Sequence, residues 1–147
     1  VEQPNADNDW FMENVGTGSM RLGGGRYDLL FLPGGHGCMY DFPKNQALHA
    51  LVRSHPLVAA VCHGPAALLP FVAGHTLTAF TNLEEAAVDA WVPFSLEAKL
   101  RESGARFVGA PNFESHVVRD GKFLTGQNPA SSRALAERCV HDLSALQ

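Results

Sequence analysis

The chain predicts an α/β fold on a mostly parallel sheet, and three observations carry that prediction. Short apolar runs alternate with segments of helical period. Two of the runs, within YDLLFLPGG (27–35) and LVAAVC (57–62), are apolar throughout, as strands buried on both faces are. The first stops at Pro-Gly-Gly and the second at Cys-His-Gly-Pro, the places where an open sheet of this class sets its ligand-binding loops.

The elements follow in order. Residues 1–26 are polar and glycine-rich, ending in RLGGGR, and read as a loop-rich lead-in with at most a short helix near Trp10 to Asn14. Residues 27–35 give the first strand. KNQALHALVRS (44–54) sets Leu48, Leu51 and Val52 on one helical face. LVAAVC is the second strand, and GPAALLPFV begins a helix with Pro65 in its first turn, where a missing N–H costs nothing. HTLTAFT (75–81) alternates as a strand does. EEAAVDAW and SLEAKLRESG read as helices, the latter closing on Gly104. ARFVGA is a short strand, and SHVVRDGKFLTG is a hairpin turning on Asp120-Gly121. PASSRALAERCVHDLSAL ends the chain as an amphipathic helix, with Asn128 or Ser131 near its start. No repeat, linker or low-complexity tract divides the 147 residues, so 1–147 reads as one domain.

Composition narrows the function classes. Hydrophobic residues are 46% and charged residues 18%, which suits a compact globular chain. A net charge of −4 with scattered Lys and Arg argues against a nucleic-acid or anionic-membrane surface. No apolar stretch approaches the roughly 18 residues of a membrane span, and no signal-peptide pattern opens the chain. Cys38, Cys62 and Cys139 have no metal spacing and cannot all pair, so a reducing, cytoplasmic setting is the default.

HPLVAAVCHGPAALL (55–69) raises the question of why a buried run breaks at a cysteine and histidine and then turns apolar again. A strand that ends in Cys62 and turns through His63-Gly64-Pro65 into a helix is a nucleophile elbow. It lifts the sulfur out of the sheet, and the helix N–H groups favour the thiolate. Most cysteines are small buried hydrophobes, but a structural strand has no use for the polar break that follows this one. Cys38 and Cys139 read as structural. Gly64 leaves room for a substrate near the backbone. LPGGHG supplies an oxyanion loop: the Gly34 and Gly35 amides can face the crevice, with the Cys62 or His63 amide as a further donor. Gly-Gly also simply makes turns.

At these residues the chain resembles the ThiJ/PfpI superfamily, which has the class I glutamine amidotransferase-like fold. AAVCHGPAAL is preceded by YDLLFLPGGHG and followed by LTAFTNLEEAAV and LTGQNPASS, and the likeness is nearest to the heat-shock-type, glyoxalase III-like branch. The resemblance implies a flavodoxin-like three-layer sandwich, a homodimer and no organic cofactor. It implies conversion of methylglyoxal to D-lactate without glutathione, with protein deglycase or holding-chaperone activity described for some members. By motif, Cys62 matches the nucleophile, His63 the adjacent histidine, Glu85 the acidic partner of that histidine and Gly35 the oxyanion-loop glycine. Glu84 is the lesser choice; without the resemblance, Glu84-Glu85 would read as an acidic pair at a helix start. His36 lines the pocket, and His116 lies on a strand near the site or at a subunit contact. His49, His55, His75 and His141 read as solvated, and no histidine pair has a metal spacing.

Members of the superfamily begin with a strand, a helix and a second strand, the first loop carrying a glutamate that hydrogen-bonds the nucleophilic sulfur. Neither Glu2 nor Glu13 has that context. The expectation is a domain without its N-terminal strand–helix–strand, missing from the middle of the sheet or supplied by another chain, with exposed strand edges in consequence. Alternatives stay within reach of the same residues. A holding chaperone would use an exposed apolar surface. A cysteine peptidase would use the same Cys-His pair, although GQNPAS fits the glyoxalase-like branch better. A glutamine amidotransferase would need Gly-x-Cys-x-Gly and a late His-x-Glu, whereas this chain has Ala-Val-Cys-His-Gly and FESH in the opposite order.

Overall fold

The computed structural model describes residues 27–88 and 91–145, so the short helix expected near Trp10 lies outside the described residues. Its centre is a four-stranded sheet of β1 (Leu29–Leu32), β2 (Leu57–Val61), β5 (Val117–Asp120) and β6 (Phe123–Gly126), in the order β1-β2-β6-β5. The β1–β2 and β2–β6 pairs are parallel, and β5 is an antiparallel edge. A mostly parallel α/β sheet is therefore what the chain builds. β3 (Thr76–Leu77) and β4 (Arg106–Phe107) form a separate parallel pair.

Strand β2 shows why the fold has three layers. All five of its residues are buried, and they alternate between two cores. Val58 and Ala60 join Leu30, Leu32, Val52, Leu68 and Leu100 on one face; Leu57, Ala59 and Val61 join Leu124, Leu135 and Cys139 on the other. The first face is covered by α1 (Cys38–Asp41), α2 (Gln46–Ser54), a 3₁₀ segment (Gly64–Phe71) and α4 (Leu96–Glu102), and the second by α5 (Ser132–Ser144). A seven-residue helix, α3 (Asn82–Val88), lies at the carboxyl end of the sheet. Among the described residues no helix is long and apolar enough to cross a membrane.

Several elements differ from expectation for identifiable reasons. The helix expected from GPAALLPFV is 3₁₀ over Gly64–Phe71, because Pro70 offers no N–H to the preceding turn and its ring crowds the i−4 carbonyl. The strand expected over 75–81 pairs only at Thr76–Leu77. Beyond it the Thr78 amide donates to Thr125 Oγ1 and the Phe80 amide to the Cys62 carbonyl, so no strand partner can use them. ARFVGA likewise pairs only at Arg106–Phe107. The hairpin turns one residue later than expected: Asp120 pairs with Phe123, leaving Gly121 (φ +58°) and Lys122 as the loop. Asp120 instead spends its carboxylate on the Thr76 amide.

The gap expected in the middle of the sheet is absent. β1, β2 and β6 are consecutive neighbours, and the outer sides of β1 and β5 have no strand partner among the described residues. Two histidines expected in solvent are buried. His49 donates from Nε2 to the Phe42 carbonyl at 3.0 Å and stands edge-on to Phe71; His55 donates from Nδ1 to the Leu51 carbonyl at 2.7 Å. Leu48, Leu51 and Val52 pack on the first core as their spacing predicts, Val52 fully enclosed, and His49 is buried beside them.

Candidate active site

Cys62 sits on the sharp turn that leaves β2, at φ +60°, a region that costs a non-glycine residue about 1–3 kcal/mol. Two hydrogen bonds hold it there: its amide donates to the Gly126 carbonyl at 2.9 Å, and its carbonyl accepts from the Phe80 amide at 3.0 Å. Glycines let two neighbouring segments close in. A Cβ on Gly34 would lie 2.6 Å from the Cys62 Cβ and 3.2 Å from its sulfur. A Cβ on Gly64 would run into the Leu32 carbonyl oxygen, so Gly64 is needed for strand packing and not, as expected, for substrate access.

His63 follows with its side chain fully enclosed. Its Nδ1 lies 3.2 Å from Cys62 Sγ and its Nε2 2.6 Å from Glu85 Oε2. Glu85, reached from α3, also takes His36: His36 Nε2 lies 2.9 Å from Glu85 Oε1. Each carboxylate oxygen thus accepts from one imidazole Nε2–H, which leaves the His63 Nδ1 lone pair to face the thiol. The two rings lie 4.3 Å apart between centroids, and Phe80 packs 4.8 Å from His63. The result is a thiol–imidazole–carboxylate line of the kind that activates a nucleophile.

The charges follow from this enclosure. Burial pushes the His63 imidazole below its ordinary 6.5, against the opposing pull of Glu85, so His63 is the neutral base near pH 7. Burial also pushes the Cys62 thiol up to about 11; the Gly35 and His63 amides draw it down, and Glu85 and Glu84 add to the rise. The ionised sulfur expected at a helix start is therefore a thiol at rest. The segment after it is 3₁₀, and two carboxylates stand nearby. Of the expected oxyanion donors, the Cys62 amide is committed to Gly126, while the Gly35 and His63 amides bear on the sulfur.

Glu84, expected to be the lesser of the acidic pair, is fully buried and has a different task. Its carboxylate accepts from the Thr81 amide and hydroxyl, the Phe113 amide, Gln127 Nε2 and Asn128 Nδ2. The Glu84 amide donates back to Thr81 Oγ1, closing a capping box. The motif TNLE (81–84) is a legible Thr-x-x-Glu box, and it is the signal that separates the two glutamates. Phe113, also at φ +60°, is tied to this carboxylate and packs 6.3 Å from Phe80.

The other candidates sort by position. Cys38 and Cys139 are buried, as a structural role requires, and burial pushes Cys38 up to about 12. His116 precedes β5; its amide donates to Ser131 Oγ, and its Nε2 is buried without a hydrogen-bond partner among the described residues. Sequence spacing offers no metal pair, yet the fold brings ligand atoms of His36, His63 and Glu85 within 4.8 Å of one another, a set able to hold a cation. Their 2.6 and 2.9 Å N···O separations are hydrogen-bond lengths, shorter than the about 3.3 Å between two ligands of a tetrahedral zinc.

A sequence profile of the DJ-1/PfpI family matches residues 21–142. A protein of Schizosaccharomyces pombe named a probable glutathione-independent glyoxalase is 37% identical over 141 residues, covering 80% of this chain and 54% of its own length. The chain thus spans about half the length of that curated relative. Among solved structures, the 24 kDa Rapid Encystment Protein of Francisella tularensis superposes with a TM-score of 0.77 at 34% identity, over 94% of this chain and 71% of its own. Glyoxalase III of Candida albicans superposes with a TM-score of 0.67 at 26% identity, over 78% of this chain and 56% of its own.

Proposed function

The chain belongs to the DJ-1/PfpI family, and from that premise we propose that it is a cysteine enzyme acting on small reactive aldehydes, of the glutathione-independent glyoxalase type. The observation that carries this reading is the line Cys62 Sγ, His63 Nδ1 at 3.2 Å, His63 Nε2 and Glu85 Oε2 at 2.6 Å, set on a strained elbow. Similarity to glyoxalases supports the substrate class.

The chemistry runs through these residues. Sγ adds to the aldehyde carbon C1 of methylglyoxal while His63 Nδ1 takes the thiol proton and passes it to the aldehyde oxygen, giving a hemithioacetal. Because the thiol lies up at about 11, its proton leaves in concert with addition and not beforehand. The Gly35 and His63 amides steady the oxygen charge. The C1 proton then moves to C2 through an enediol, which leaves a thioester; water cleaves the S–C1 bond and releases lactate, with D configuration implied by the resemblance. No oxidant is consumed, since C1 is oxidised as C2 is reduced. Glu85 fixes the His63 tautomer, Gly34 admits the loop to the sulfur and His36 borders the substrate. A methylglyoxal adduct on a protein amine holds C1 as a hemiaminal; the amine leaves as its nitrogen takes back the hydroxyl proton, C1 becomes the aldehyde again, and Sγ adds to it as above, which is the deglycase form of the reaction. A homodimer in a reducing cytoplasm, without an organic cofactor, completes the proposal; three free cysteines fit that compartment.

A holding-chaperone role is the second reading, favoured by the exposure of Leu83, Val88 and Trp91, with Leu83 at 72% and Trp91 at 75%. Cys62→Ala separates the two. The purified protein is expected to consume methylglyoxal without added glutathione, and the variant to lose at least about 10³-fold in turnover. A variant that keeps its turnover would overturn the enzyme reading. Suppression of client aggregation untouched by the substitution would establish the chaperone role on its own.

A further inference from the structure

We propose that His36 is a second acid–base catalyst of the same site, moving protons between the substrate oxygens while His63 moves them between the carbons. The inference rests on the aldehyde-converting reading above. It starts from an asymmetry around Glu85. Both carboxylate oxygens are occupied by imidazoles, but the His63 side chain is fully enclosed while that of His36 is 38% exposed. His36 Nδ1 makes no hydrogen bond among the described residues, and its residue follows Gly35, whose amide bears on the sulfur. A substrate carbon bonded to Sγ with its oxygen at the Gly35 amide therefore has the His36 ring beside its polar end.

The enediol route needs two proton traffics, and one enclosed imidazole serves only one at a time. From the hemithioacetal, the C1–H proton passes to His63 Nδ1, its electron pair forming the C1–C2 double bond. Protonated His36 gives its Nδ1 proton to the C2 oxygen, completing the enediol. His63 then returns its proton to C2, and the C1 hydroxyl proton returns to His36 as the thioester carbonyl forms. Both imidazoles and Glu85 end as they began, and every atom and electron is placed. Glu85 suits this division: it holds both Nε2–H groups at 2.9 and 2.6 Å, so both Nδ1 atoms point away from the carboxylate. At 4.3 Å between rings, a proton arriving on His63 helps drive the His36 proton onto the substrate by charge repulsion.

The test compares His36→Ala and His36→Gln with wild type in purified protein. Gln keeps an N–H donor for Glu85 Oε1 but cannot titrate, which separates proton transfer from positioning. Expected are a fall in methylglyoxal kcat of about 10²-fold or more in both variants, a KM within about threefold of wild type, and a Cys62 iodoacetamide rate within about threefold, showing the Cys62–His63 pair intact. Wild-type kcat in His36→Gln would reduce His36 to a positioning residue and overturn the proposal. So would a loss confined to KM, or a parallel collapse of alkylation. Wild type inert toward methylglyoxal, with Cys62 alkylated normally, would sink the aldehyde reading and this inference together; an active wild type with unaffected His36 variants would sink the inference alone.

Discussion

Cys62 and His63 are legible in the sequence because the elbow is contiguous: strand, cysteine, histidine, glycine and proline occupy consecutive positions, and each constrains the next. The Glu85 contact is not legible from spacing, since 22 residues separate it from His63 and 49 from His36, and only the fold closes those loops. The protonation state of the sulfur is also invisible in a sequence, because it depends on how deeply the side chain is enclosed. That state has a measurable consequence. A thiol raised to about 11 binds its proton throughout the neutral range, so the reactive thiolate fraction grows about tenfold per pH unit below that value. The alkylation rate of Cys62 by iodoacetamide is expected to climb steadily from pH 7 to 10. A rate already level at pH 8 would mean a preformed thiolate–imidazolium pair.

Among the elements, α3 shows how two adjacent glutamates divide the work. Glu85 faces the imidazoles, and Glu84, one residue earlier, points into the protein to gather the Thr81, Phe113, Gln127 and Asn128 donors. The helix start, the loop carrying Phe113 and the turn after β6 thus meet on a single carboxylate. The capping box that marks this was readable as TNLE, whereas the donors from 113, 127 and 128 were not, because they come from distant parts of the chain. The same limit explains β3: its alternation is real, but Thr125 and Cys62 claim the amides of Thr78 and Phe80. Pro70, by contrast, is a mark of the 3₁₀ segment that the sequence itself carries. Replacing Glu84 by Gln sets an amide N–H₂ against donors that need acceptors. The expected cost is about 2–3 kcal/mol, seen as a fall of roughly 10 °C in Tm, with Glu85 losing its fixed approach and methylglyoxal turnover falling too. Wild-type Tm in Glu84→Gln would show that water or neighbouring carbonyls replace the carboxylate.

For the whole molecule, the layered architecture was legible because β2 is apolar on both faces, and the sheet order was not, because the β2–β6 pairing joins segments far apart in the chain. The enclosed charges of this single body set its response to acid in two separate windows. Burial holds His63 below 6.5, so the unfolded chain binds that proton more readily than the folded one, and stability falls as pH drops below 6.5 until the folded imidazole also titrates. The second window belongs to carboxylates. Glu84 is lowered despite burial by the donors from Thr81, Gln127, Phe113 and Asn128. Asp142 is lowered to about 2, burial being outweighed by Arg138, His141 and Arg119. Depressed carboxylates contribute stability above their unfolded values of 4.5 and 3.8, and that contribution is lost as pH falls through the folded values, toward about 2. Tm is therefore expected to be level from pH 8 to 7, to decline modestly between 6.5 and 5, and to fall steeply below 4.5. His63→Gln tests the assignment, since it removes a titrating group from the first window and leaves the second alone. A first decline that persists unchanged in His63→Gln would overturn its assignment to His63.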